Sequence, residues 1–279
     1  MNSKVLVILG MHRSATSLLA SWLHACGLNL GDELLGEGVG NEKGHFEDKD
    51  FFLLHERILK RNGIACGGIR KTGPIAVDAA AAADMARLVE RKRAAHAQWG
   101  WKDPRTCLFV QEYEKLLPSA KYLVVYRHYE LVVDSLVRRD AKKMQRKIAR
   151  KGPLRRFFHR LGMRHLDPIR DKQLADRYLA TWIDYNERLA ELAARRGELD
   201  VFVLNCRHFV NAGTSVLAAL KTWGFELQPA PATDYFDESM IFEKPSRSYP
   251  FDPELKQRAD ALLARLDGFE NPAVGASGR

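Results

Sequence analysis

Lys4-Val5-Leu6-Val7-Ile8-Leu9-Gly10-Met11-His12-Arg13-Ser14-Ala15-Thr16-Ser17 is the stretch that decides the fold. Val5 to Leu9 are apolar without a break. Alternate side chains of a strand face opposite ways, so such a run suits a strand covered on both faces, as in a parallel sheet. Leu18, Leu19, Trp22 and Leu23 then recur at helical spacing. A strand that turns directly into a helix leaves free backbone N–H groups and the positive end of the helix dipole at the turn, where both favour an anion.

The same pattern repeats along the chain. Lys121 to Tyr126 reads as a strand followed by a helix through Leu131, Val132, Leu136 and Val137, and Asp200 to Leu204 as a strand followed by a helix around Val216 to Trp223. A fourth strand is expected near Gln98 to Trp101, with a helix from Cys107 to Leu117. Further helices are expected at Asp78 to Glu90 and Asp176 to Arg196. Strands alternating with helices imply βαβ units, so the expected class is α/β: a three-layer, P-loop-like fold with a central parallel sheet flanked by helices. Ligands of such sheets sit at the carboxyl ends of the strands. All four expected strands end there in polar groups, at His12-Arg13, Lys102 to Arg105, Arg127-His128 and Asn205 to Arg207.

At 279 residues and 46% hydrophobic, the chain suits one large domain, expected over 1–270 with a flexible tail at 271–279. The formal charge of +9 is concentrated, since 138–172 holds 14 Lys and Arg against Asp140, Asp167 and Asp171. Broken by Gly152-Pro153, Gly162 and Asp167-Pro168, that segment reads as a basic helical insertion or lid, or equally as a solvated basic face. Cys26, Cys66, Cys107 and Cys206 lie far apart, which suggests reduced structural thiols rather than a disulfide framework or a zinc site. No metal is expected. No stretch approaches the ~20 apolar residues of a membrane span, and no signal segment is apparent. The expected location is cytoplasmic, with a peripheral place at the inner membrane face as an alternative.

Laid over the nucleotide-triphosphatase pattern G-x-x-x-x-G-K-[ST], the loop from Gly10 has Ala15 for the last glycine and Thr16 for the lysine. The cation is instead Arg13, followed by Ser14, Thr16 and Ser17. This arrangement resembles the 5′-phosphosulfate loop of sulfotransferases that use 3′-phosphoadenosine-5′-phosphosulfate (PAPS), approximately [KR]-S-G-T-[TS]. The resemblance implies that Arg13 meets the bridging and sulfuryl oxygens while Ser14, Ala15, Thr16 and Ser17 hold the 5′-phosphate. If position 15 is helical, its alanine costs little. Arg127 and Ser135, in R-x7-S after a strand, are similar to the family's 3′-phosphate segment, which would separate this donor from ATP. Arginine suits such a group because its planar fork can pair bidentately with a phosphate. Trp101-Lys102-Asp103-Pro104-Arg105 looks like the W-K-D-P-R stretch of bacterial and carbohydrate-type members. Phe242 to Arg247 resembles a weak form of the C-terminal donor loop, which implies a donor contact for Arg247. PAPS is then the co-substrate.

Sulfuryl transfer to a hydroxyl also needs a base. Asn41 to Asp48 resembles the N-x-x-G-[YH]-F-E segment of carbohydrate-type sulfotransferases, which points to Glu47 as the base. Partial burial beside Phe46 is expected to raise its pKa; a first-turn glutamate favouring the helix dipole is the equal alternative. His45 is the main rival and Glu42 the third. Lys102 and Arg105 could neutralise the sulfuryl group or orient the acceptor, or pair structurally with Asp103 or another carboxylate. The expected acceptor is a saccharide or glycolipid hydroxyl. Contact of the basic segment with an anionic membrane surface is possible on charge grounds, whereas nucleic acid is disfavoured by the scarcity of stacking aromatics there. Two other readings stand beside this one: a P-loop small-molecule kinase, and a non-catalytic protein that binds anionic surfaces.

Overall fold

The computed structural model describes residues 3–36, 44–64, 74–149, 168–236 and 244–275. Four strands form one sheet: β1 (Lys4–Leu9), β2 (Gln98–Lys102), β3 (Lys121–Tyr126) and β4 (Val201–Asn205). They are all parallel, in the order β2-β1-β3-β4. The helices are α1 (Thr16–Ala25), α2 (Lys49–Arg61), α3 (Ala79–Ala95), α4 (Val110–Leu116), α5 (Tyr129–Ala149), α6 (Pro168–Arg196), α7 (Phe209–Thr222), α8 (Pro253–Phe269) and the single turn α9 (Pro272–Gly275). This is the α/β layering that the alternation of strands and helices predicts.

The sheet divides the core in two. Val5, Val7 and Leu9 of β1 point to one side, with Trp101, Val124, Phe51 of α2 and Trp182 of α6. Leu6 and Ile8 point to the other, with Leu123, Leu19 and Trp22 of α1 and Val216 of α7. The strands β1, β3 and β4 are therefore buried on both faces, which is why their apolar residues run consecutively. From β1 the chain passes to β2 on one side and then crosses to β3 on the other. The carboxyl ends of β1 and β3 consequently flank the point where the order reverses, the crevice such sheets use for ligands.

Several elements differ from their expected form. The helix expected from Cys107 starts earlier, as a 3-10 turn over Pro104–Phe109. Asp103 caps that turn by accepting from the Arg105 N–H, and Pro104 at its first position has no N–H to satisfy. Residues 138–149 continue α5 without a break, and 168–172 already belong to α6, so both flanks of the basic segment are parts of long framework helices. Its middle, 150–167, lies outside the described residues, as does Cys66. At the C-terminus, Asn271 donates to the Val203 carbonyl at 3.0 Å and Val274 is buried in the second core, which docks the chain as far as Gly275. Among the described residues no helix is long and apolar enough to cross a membrane, and no group of three or more His, Cys, Asp or Glu is placed to hold a metal.

Candidate active site

The loop after β1 is shaped by two left-handed residues that are not glycine, Arg13 at φ 71° and Ala15 at φ 65°. Ser14 between them has a negative φ, and this alternation of hand turns successive N–H groups toward one side. Ala15 is the N-cap of α1, with no side chain able to cap the helix, so the first N–H groups of α1 are left to the loop. The condition under which alanine would cost little, a helical position, is not met: a left-handed alanine costs roughly 1–2 kcal/mol. The glycine that the loop does require is Gly10, where a Cβ would lie 2.4 Å from the Val125 carbonyl oxygen of β3. Close approach of the two strands, not backbone hand, sets that need. Ser14 is fully buried and its Oγ has no hydrogen-bond partner. A buried hydroxyl of this kind at an uncapped helix start suits an anionic oxygen.

The two half-sites adjoin. Arg13 Nε donates to Ser135 Oγ at 2.8 Å, and Arg127 Nη1 donates to the Arg13 carbonyl at 3.3 Å. Arg127 is itself fixed by its carbonyl, which accepts from the Trp182 indole at 3.0 Å. Burial, and then the guanidinium groups of Arg139, Arg127 and Arg138, push Arg13 down to about 10. Arginines this crowded raise one another's cost of charge, and an arriving anion relieves it. Arg138 and Arg139 lie three and four residues beyond Ser135, one helical turn along α5. They were legible only as members of a charge run, although the i, i+3 and i, i+4 spacing from Ser135 was the available signal.

Arg247 is exposed and packs its guanidinium over the Tyr249 ring at 4.8 Å. Its loop is tied to α5 at Asp134, the neighbour of Ser135. Asp134 Oδ1 accepts from Ser246 at 2.5 Å and from the Tyr249 hydroxyl at 2.9 Å, while Oδ2 pairs with Arg138 at 2.9 Å. Burial would raise Asp134, but these donors together hold it below its ordinary value.

On the other side of the loop, Lys102 at the end of β2 is buried and divides its ammonium between Ser17 Oγ at 3.1 Å and Glu47 Oε1 at 2.9 Å. Burial pushes Lys102 down despite Glu47. Glu47 Oε2 receives Arg105 Nη1 at 3.4 Å, so both oxygens of the carboxylate face a cation. The burial expected for Glu47 is present, but in company that the sequence did not reveal. Antiparallel pairing of 33–35 with 45–49 presents this segment: Leu35 N–H donates to the Glu47 carbonyl at 2.8 Å, and Lys49 N–H to that of Glu33 at 2.9 Å. The His45 ring is half-buried and pushed below its ordinary value by burial, with Lys102, Arg105 and Arg13 adding to the fall and Glu47 opposing it. It therefore belongs to the same electrostatic neighbourhood. Glu42 lies outside the described residues.

Arg105 also donates from Nε to Glu56 at 2.8 Å and from Nη1 to Asp103 at 2.7 Å, and it lies 4.4 Å over the Phe52 ring. Burial opposes its charge, but Asp103 and Glu47 more than offset this and hold Arg105 above its ordinary value. The structure thus realises the pairing with Asp103 alongside the approach to Glu47. Behind Asp103 stands His55 of α2, which sequence reading missed because a lone histidine on an amphipathic helix carries no signal. Taken together, the chain brings Arg13, Ser14, Ala15, Thr16, Ser17, Arg127 and Ser135 to one end of the sheet, with His45, Glu47, Lys102 and Arg105 beside them.

No protein-family model matches the chain, and no curated protein matches it in sequence. Among solved structures it is similar to a sulfotransferase from Alicyclobacillus acidocaldarius, with a TM-score of 0.52 and 14% identity over 100% of both chains. It is similar also to sulfotransferase STF9 from Mycobacterium avium, with a TM-score of 0.52 and 14% identity over 96% of this chain and 76% of that one. At such identity the likeness is one of fold: a central parallel sheet flanked by helices.

Proposed function

We propose that the chain is a PAPS-dependent sulfotransferase that transfers a sulfuryl group to a hydroxyl acceptor, a carbohydrate or glycoconjugate. One observation carries the reading. The anion loop after β1 and the Arg127/Ser135 pair after β3 adjoin across the crevice, bridged by Arg13, so a nucleotide with separate 5′ and 3′ anionic groups would straddle them. The buried Ser14 hydroxyl, the uncapped start of α1 and the crowded arginines are the chemistry such a donor requires. An ATP-type donor would use the first half-site but give the second nothing to hold.

The donor supplies the sulfuryl group; the side chains of this protein bind, orient and manage the proton. Charge in such a transfer spreads over the equatorial oxygens and the leaving oxygen, so fixed cations are the main stabilising device. Arg13 is assigned to the leaving oxygen. Lys102 commits two of its three N–H donors, one to Ser17 of the loop and one to Glu47. Glu47 is assigned as the base that takes the acceptor's proton, with Arg105 orienting its second oxygen. His45, held neutral by its depressed pKa, is the competing base.

Calorimetry tests the donor assignment: 3′,5′-diphosphoadenosine should bind well above ADP, and the reverse preference would sink the proposal. Arg127→Ala should erase that preference, lowering diphosphoadenosine affinity toward that of ADP, whereas a merely superficial arginine would leave the ratio unchanged. Incubating a cell extract with ³⁵S-labelled donor and fractionating it into polysaccharide, lipid and small-molecule pools identifies the acceptor class. Label confined to the small-molecule pool would overturn the saccharide assignment.

A further inference from the structure

We infer that His55, buried behind the site, is a positioning residue for the proposed sulfuryl transfer, fixing Arg105 against Glu47 by way of Asp103. The inference rests on the sulfotransferase reading and adds to it a residue outside the donor and acceptor groups.

His55 and Asp103 are both completely buried. His55 Nδ1 lies 2.7 Å from Asp103 Oδ2, and Nε2 lies 2.7 Å from the Tyr113 hydroxyl. Burial raises the cost of charge on Asp103, but Arg105 and His55 overcome it and hold the group well below the carboxylate range. An ionised Asp103 can only accept, so Nδ1 carries a proton. Burial keeps the Tyr113 hydroxyl far above its ordinary value, so it retains its proton and pairs as a neutral hydroxyl with Nε2. Every polar atom of the imidazole is then committed, and its plane is held by stacking on Phe109 at 5.0 Å and by an edge contact with Tyr113 at 5.7 Å.

The consequence is directional. With Oδ2 of Asp103 held by His55, Oδ1 is turned to Arg105, accepting from its backbone N–H at 3.0 Å and from Nη1 at 2.7 Å. The same Nη1 reaches Glu47 Oε2 at 3.4 Å. If the carboxylate rotates, the guanidinium loses the contact that aims it at the base. A misplacement of about 1 Å at such a distance can cost roughly 100-fold in rate. Donor binding, which uses the loop after β1 and the Arg127/Ser135 pair, involves none of these atoms.

The test compares His55→Leu, His55→Asn and Tyr113→Phe with the wild type. Asparagine can place an N–H where Nδ1 stands, leucine cannot, and phenylalanine at 113 removes one hydroxyl while preserving the packing. Three quantities are read: calorimetric affinity for 3′,5′-diphosphoadenosine, thermal midpoint, and the kcat and donor KM of ³⁵S transfer into the extract pool that the wild type labels. The expected result is a fall in kcat of about 10- to 100-fold for His55→Leu with donor KM and diphosphoadenosine affinity within about twofold. His55→Asn should recover most of kcat without a matching recovery of thermal midpoint, and Tyr113→Phe should show a smaller loss of the same kind. Equal kcat in the leucine and asparagine variants, or losses that simply track thermal midpoint, would overturn the inference and leave the sulfotransferase reading intact. Should His55→Leu not fold, the same comparison holds between His55→Asn and Tyr113→Phe, where a kcat unchanged in Tyr113→Phe overturns it. A wild type that binds no diphosphoadenosine removes the functional reading, and the inference with it.

Discussion

The most informative single residue is Ala15, because its cost is visible in the backbone. At φ 65° it occupies a region that glycine enters freely and alanine does not. Ala15→Gly should therefore stabilise the protein by about 0.5–1 kcal/mol, the relieved strain being partly offset by the greater freedom of glycine in the unfolded chain. Urea denaturation measures it, and a loss of stability would show that the left-handed cap is not strained. The two candidate bases are separable by pH. A base must be deprotonated to act, and burial places the His45 pKa below its usual 6.5, so a His45-dependent rate should be level at neutral pH and fall only as pH drops through that depressed value. If Glu47 is the base, as assigned, His45→Asn should retain the rate within about tenfold, whereas Glu47→Gln should lose about 100-fold or more. The opposite ranking in ³⁵S transfer would move the assignment to His45.

Among the elements, α5 does more than its position between β3 and α6 suggests. It carries Ser135 to Arg13, brings Arg138 and Arg139 to the same guanidinium cluster, and through Asp134 holds the segment containing Ser246, Arg247 and Tyr249. One helix thus joins Arg13 and Ser135, assigned above to the donor, to the C-terminal segment. Asp134 has a folded pKa below its unfolded value, so its contribution is fully present above the unfolded value of about 4 and is lost as pH falls through the depressed folded value. Acidification should accordingly loosen 244–250 before the sheet opens, giving faster hydrogen exchange there while β1 and β3 stay protected. Asp134→Ala should produce the same loosening at neutral pH. Exchange at 244–250 that is indifferent to both changes would mean that the segment is held by other contacts.

Over the whole molecule, what could be read from the sequence follows from what burial does to a pattern. β1 and β3 were readable to the residue because a strand covered on both faces must be apolar where it is buried, and Lys4–Leu9 and Lys121–Tyr126 are apolar and buried after their first lysine. The residues proposed to hold the donor were nameable because strand ends and helix starts place them at fixed offsets, and the structure brings them to one end of the sheet. What stayed hidden depends on partners distant in sequence: the Glu47–Lys102–Arg105 cluster, the Asp103–His55–Tyr113 chain, and the hand of Ala15, whose side chain says nothing of its φ. The flanks of the basic segment were hidden for another reason, since a solvated helix and a solvated insertion share one composition. The sheet order joins the readable and hidden parts, because β1 and β3 are neighbours whose carboxyl ends each carry half of the proposed anion site. A ligand spanning both halves should tie the strands together. At 100 times its dissociation constant, 3′,5′-diphosphoadenosine should add about 2.7 kcal/mol to stability. Its hydrogen-exchange protection should appear at both 10–18 and 127–139. Raising the salt concentration should weaken it, because the site is built from clustered guanidinium groups. ADP, which lacks the second anion, should protect the first segment alone. Equal protection of both segments by ADP would mean that the half-site after β3 does not read a 3′-phosphate, and the donor assignment would have to be abandoned.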